Sequence, residues 1–150
     1  MRMSGSAFPP LRARGWAWVS LALAIAVHVL DEAAHDFLAL YNPTVEAIRR
    51  VVPFLPLPVF SFPVWIGGLA AGVALMLAVS PAVFRGARWT RPVCYTLAVL
   101  MMLNGLGHAA SSLYLGRPAP GVYSSPLLVA VAVWLFVFTR RARAAELVES

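Results

Sequence analysis

His28, Asp31, Glu32, His35 and Asp36 put five ionisable side chains into nine consecutive residues of an otherwise apolar run. At about 100° per residue, His28, Glu32 and His35 fall within one narrow stripe of a helix, with Asp31 and Asp36 flanking it. A charged group at the centre of a bilayer costs roughly 2.5–3.5 kcal/mol even on the lenient insertion scale, so such a cluster requires a partner or a purpose. A second polar set stands at Asn104, His108 and Ser111, spaced i, i+4, i+7 on one helical face. All three histidines of the chain belong to these two stretches.

Imidazoles beside carboxylates are the donor set of a divalent metal. Two histidines and one carboxylate suit zinc or iron and leave coordination positions open for water and substrate. His28 and Glu32, one turn apart and joined by His108, make such a set, with His35 a further metal-ligand candidate. Asp31, His35 or Asp36 would add a fourth ligand or orient an imidazole by hydrogen bonding. Asp31 is also a candidate general base, Glu32 a catalytic as well as a ligating candidate, and Asn104 a group to orient substrate. A bound zinc ion brings the pKa of its water to about 7, which permits hydrolysis at neutral pH. The plainer reading is interhelical hydrogen bonding, worth about 0.6 kcal/mol on average and up to about 1.7. At the membrane surface, His35 and Asp36 would simply be solvated.

The surroundings of these residues are those of a membrane protein. Of 150 residues, 61% are hydrophobic and only 12% charged, with a mean hydropathy of +0.78; soluble domains carry about 25% charged residues. Apolar runs at about 16–40, 62–84, 92–115 and 124–139 approach or exceed the ~20 residues that cross ~30 Å of hydrocarbon. The expectation is an all-α, four-helix transmembrane bundle forming a single domain over 1–150, with short tails at 1–15 and 140–150. The basic excess is all arginine and marks helix ends rather than a surface for nucleic acid. Nine arginines lie on the side of the termini and Arg49, Arg50 and Arg117 on the other, which predicts both termini in the cytoplasm. In that topology His28 and Glu32 lie roughly 20 and 25 Å into the membrane, and Asn104 and His108 about 18 and 24 Å, at 1.5 Å per residue. The two polar stretches therefore sit at matching levels.

The remaining segments read as scaffold. Basic residues before the first apolar run could suggest a signal peptide, but the run is long and has no clear A-x-A site, so it is read as a retained helix. Trp16 and Trp18 stand where an aromatic belt belongs. Asn42-Pro43 offers an N-cap and a first-turn proline for a short amphipathic helix at about 44–52. Four prolines then forbid regular helix over about 53–62, leaving an apolar connector that a lid reading would fold over the bundle mouth. Gly68 and Gly72, like Gly105 and Gly107, predict close helix approach. Cys94 is the sole cysteine, so neither an intramolecular disulfide nor a thiolate metal cluster is available. Met101-Met102 read as packing.

His28-x-x-Asp31-Glu32 resembles the signature of the HXXEE-domain membrane proteins, small four-helix bacterial proteins, with Asp31 standing where the family name has its first glutamate. The resemblance extends to Asn104-x-x-x-His108, to Pro120-Gly121 and to Ser124-Ser125, and so spans about His28 to Pro126. It implies a bacterial inner-membrane, multi-pass protein with a suspected enzymatic site and no established reaction. A fainter likeness to intramembrane CAAX-type proteases lacks that family's complete motifs, and no activity is carried over from it. The expectation is a metal-dependent membrane enzyme acting on a lipid-like substrate. The alternatives are a metal-free carrier of protons or a small ligand, and a structural or partner subunit.

Overall fold

The computed structural model describes residues 10–149, which form five helices: α1 (Pro10–Ala34), α2 (Phe37–Val51), α3 (Phe62–Phe84), α4 (Thr90–Leu115) and α5 (Ser125–Glu149). α1, α3, α4 and α5 are each long and apolar enough to cross a membrane, as the four apolar runs predict. α1 packs along α3 and α5, and α5 packs along α4, whereas α3 and α4 scarcely touch. α1 and α4 therefore face each other across the middle of the bundle and run in the same direction. The apolar core gathers Ala17, Leu21 and Ala24 of α1 with Cys94 and Ala98 of α4 and Leu128, Ala132 and Leu135 of α5. Alanines of α1 and leucines of α5 belong to this one cluster, so the two helices interlock.

Several boundaries differ from the sequence-based expectation. The first helix does not run on to residue 40; it stops at Ala34, and Asp36 adopts left-handed geometry (φ 54°, ψ 47°) before α2 begins. Asp is one of the few residues that tolerates that region, because its short side chain bonds locally. α2 thus starts at Phe37, earlier than 44, and Pro43 lies inside it rather than at its first turn. Asn42 is not a cap. Its side-chain amide instead clasps the backbone of Phe60 from both sides, Nδ2 donating to the carbonyl at 2.9 Å and Oδ1 accepting from the amide at 3.0 Å. With Tyr41 donating to the Pro58 carbonyl, these bonds pin the connector before α3 to α2.

The expected tails are helical where they are described. α1 begins at Pro10, and residues 1–9 of the N-terminal tail lie outside the described residues. α5 continues through Arg140–Arg143 because alanine, arginine, leucine and glutamate all favour helix and nothing interrupts them. Its Glu146 pairs with Arg91 of α4. Arg14 is buried and donates at 3.1 Å to the Val83 carbonyl, which also accepts from the Gly86 amide at the end of α3. Trp16 is half exposed against Phe84, but Trp18 is no belt residue: it is buried, and its indole donates to the Met76 carbonyl at 2.8 Å.

The glycine pairs also divide. A side chain at Gly105 would meet Val129 at 2.6 Å, so α4 approaches α5 closely there, whereas one at Gly107 would meet nothing within 4 Å. Side chains at Gly68 and Gly72 would likewise meet open space. These two residues border a groove instead of a helix contact.

Candidate functional site

His28 and Glu32 stand one turn apart on α1 because both follow the heptad-like stripe that Leu21 and Ile25 begin, and that stripe faces the bundle centre. His108 comes from α4, opposite. All three side chains are buried. Glu32 Oε1 lies 3.1 Å from His108 Nε2 and 3.7 Å from His28 Nε2, and the imidazole rings meet edge to face at 4.8 Å. One ligand atom from each of the three residues lies within 4.8 Å of the others. Bonds of 2.0–2.2 Å around a tetrahedral ion put ligand atoms about 3.4 Å apart, so two of these separations bracket what a zinc-sized ion needs. The donor set and its spacing fit a divalent metal.

The orientation of His28 is set from behind. Its Nδ1 lies 2.8 Å from Ser124 Oγ. That hydroxyl has one proton, and its outgoing contacts are to Asp31 Oδ2 at 2.7 Å and the Gly121 carbonyl at 3.2 Å. Ser124 therefore donates away from the ring and accepts from His28 Nδ1–H, which leaves a lone pair on Nε2, on the cluster side of the ring, to accept from Asn104. Asn104 Nδ2 lies 3.0 Å from the same Nε2, on the edge of the cluster.

Asp31 does not join the three. Its Oδ2 accepts from the Ser124 amide at 2.9 Å as well as from the hydroxyl, and its Oδ1 lies 2.9 Å from His35 Nδ1. His35, with a half-exposed ring beside Tyr123, bonds back to Asp31 through both the carboxylate and the backbone carbonyl. The structure thus brings together His28, Glu32, His108 and Asn104, and sets Asp31 and His35 in an adjoining layer. Asp36 is exposed, at the turn that follows α1. Ser111 borders a separate cavity with Phe37 and Tyr41.

The loop between α4 and α5 closes the site. At Gly121 (φ +83°) a Cβ would sit 2.9 Å from Cε1 of both His28 and His108 and 3.0 Å from Glu32 Cγ. Only a residue without a side chain allows backbone this near, and its left-handed geometry favours glycine as well. Ser125 holds the Gly121 carbonyl at 2.7 Å, and Ser112 ties His108 of α4 to the Ala119 amide. On the open side, Phe37 stacks on Trp65 and reaches to 6.0 Å from the His108 ring. Gly121 and Ser124 are the site residues that chemical reading of the sequence missed. Neither carries a charge, and their only signal was their place in the resemblance.

No curated protein and no solved structure matches the chain. A family model described as "Protein of unknown function with HXXEE motif" matches residues 18–135, a span that contains every side chain of the cluster, the Gly121 cap and Ser124. The chain belongs to the HXXEE family, and Asp31 occupies the first of the two acidic positions in its motif.

Proposed function

We propose that His28, Glu32 and His108 ligate a divalent metal ion, zinc or iron, and that the protein is a membrane enzyme acting on a lipid-like substrate. The observation that carries this reading is the inward Nε2 lone pair of His28, held by Ser124 and Asp31, beside a buried carboxylate and a second imidazole. In the metal-free cluster that lone pair accepts from Asn104 Nδ2 at 3.0 Å; a bound ion would take the place of the amide, and the fixed tautomer is the one a ligating histidine needs. A bound divalent ion supplies an activated water and polarises a substrate oxygen.

The residues around it divide the remaining work. Ser124 and Asp31 hold His28 in register, so we assign Asp31 a positioning role instead of a ligating one. His35 anchors Asp31 from the half-exposed side. Asn104 is placed to orient a substrate at the edge of the cluster, and Gly121 shields it from one end. We further propose a bacterial inner-membrane location with both termini cytoplasmic, on the arginine distribution. Elemental analysis of protein purified in detergent tests the metal: one ion per chain is expected, and a metal-free protein that rebinds none rejects it.

One observation favours a second reading. His35, Asp31, Ser124 and His28 form a continuous hydrogen-bonded series from a half-exposed ring to the buried cluster, as a metal-free proton carrier would use. That reading expects pH-driven flux in liposomes, abolished by Glu32→Gln.

A further inference from the structure

The seam that α3 and α4 leave open is a defined groove of about 430 Å³. Trp18 and Ile25 of α1 form its floor, Gly68, Gly72 and Met76 of α3 one wall, and Leu97 and Met101 of α4 the other. It is continuous in register with the polar cluster. Ile25 precedes His28 by one turn on the same face of α1, and Met101 precedes Asn104 by one turn of α4. A second hollow shares Gly68 and Leu69 with it and lies between α2 and α3, where it is lined by Phe37, whose ring is 6.0 Å from that of His108.

We propose that this groove is the chain-binding subsite of the enzyme: it takes a single alkyl chain whose polar end reaches His28, Glu32 and His108. The inference rests on the metal-site reading for its chemistry and on the groove for its substrate class. Size selects the occupant. From Gly68 to Val79 the wall runs about 16 Å at 1.5 Å per residue, close to half of a ~30 Å hydrocarbon core and so to one lipid chain. A volume near 430 Å³ is that of a small-ligand pocket, ~300–1,000 Å³. Chemistry agrees, because the named walls and floor are apolar and the polar cluster begins one turn further along α1 and α4. The open space beside Gly68 and Gly72 is then what the chain fills.

The test is photolabelling of the whole protein in detergent with hexadecanoic acid carrying a mid-chain diazirine, read residue by residue by mass spectrometry. Labelling at Val73 and Leu97 should saturate, be competed by unlabelled hexadecanoic acid, and fall about tenfold or more when a Leu side chain fills the space in Gly72→Leu or Gly68→Leu. Leu106, exposed on another face of α4, should label without competition in every variant. Labelling at Val73 and Leu97 that is uncompeted, or that both glycine variants leave unchanged, marks ordinary lipid contact and overturns the proposal. A zinc titration on the same samples separates the two ideas. Zinc binding without competed labelling removes the groove alone; competed labelling without zinc binding removes the metal site and leaves the groove as a chain-binding site.

Discussion

Glu32 Oε1 lies 3.1 Å from His108 Nε2, joining α1 to α4 at the centre of the bundle although the two helices pack mainly against α5 rather than each other. The cluster is therefore spanned by long side chains across a gap. An ion fits such a gap, and close-packed backbones would leave no room for it.

Ser124→Ala removes the hydroxyl that accepts from His28 and donates to Asp31. It should weaken divalent-metal affinity by about 10–100-fold, the usual loss when the group behind a ligating histidine is deleted. Zinc competition against a chromophoric chelator measures this. Asp31→Asn should weaken affinity in the same direction, because the Ser124 hydroxyl and amide lose a charged acceptor. An unchanged affinity in both variants would show that the hydrogen-bonded series behind His28 is idle.

Gly121→Ala and Gly116→Ala separate close approach from backbone conformation. Both glycines have positive φ, but a Cβ at Gly121 collides with both imidazoles, whereas at Gly116 it meets open space. Gly116→Ala should cost about 1–2 kcal/mol, the left-handed penalty alone. Gly121→Ala should cost more and should also lower metal affinity. Thermal unfolding in detergent, followed by circular dichroism, reads the stability difference.

Gly105→Ala and Gly107→Ala should diverge in sign. The first forces a methyl to within 2.6 Å of Val129, which costs about 1–3 kcal/mol by overpacking. The second replaces glycine by alanine in a helix with room to spare and should gain up to about 1 kcal/mol. Parallel unfolding curves for the two variants check this.

Trp18→Phe should destabilise the bundle by about 1–3 kcal/mol, because the buried ring loses its bond to the Met76 carbonyl and the smaller side chain leaves a void in the core. Trp16→Phe should be close to neutral, since that ring is half exposed. Comparing the two melting temperatures distinguishes a core tryptophan from one at the surface.

What the sequence disclosed follows from how strongly each signal is constrained. Apolar length reveals the spans, and matching depth from a shared entry side places His28 and Glu32 level with His108; both rest on the fixed rise of a helix. The break at His35-Asp36 is hidden because apolar residues resume at Phe37, and hydropathy does not register a single left-handed residue. Asp31 and Glu32 look equivalent in sequence, yet they are adjacent on the helix and so point about 100° apart, one to Ser124 and one to the histidines. Ser124 and Gly121 lie at a loop end, where no periodicity indicates direction. Gly68 and Gly72 carry a packing motif, but whether a neighbour fills the space depends on how α3 and α4 diverge, which local pattern does not encode.

Metal content of the purified chain, measured by mass spectrometry alongside His108→Ala and His28→Ala, tests the ligand set most directly. One divalent ion per wild-type chain, with each alanine variant retaining its fold but losing stoichiometric metal, is the expected result. A folded wild-type protein that neither carries nor rebinds zinc or iron, or alanine variants that bind the ion as tightly as the parent, would contradict it.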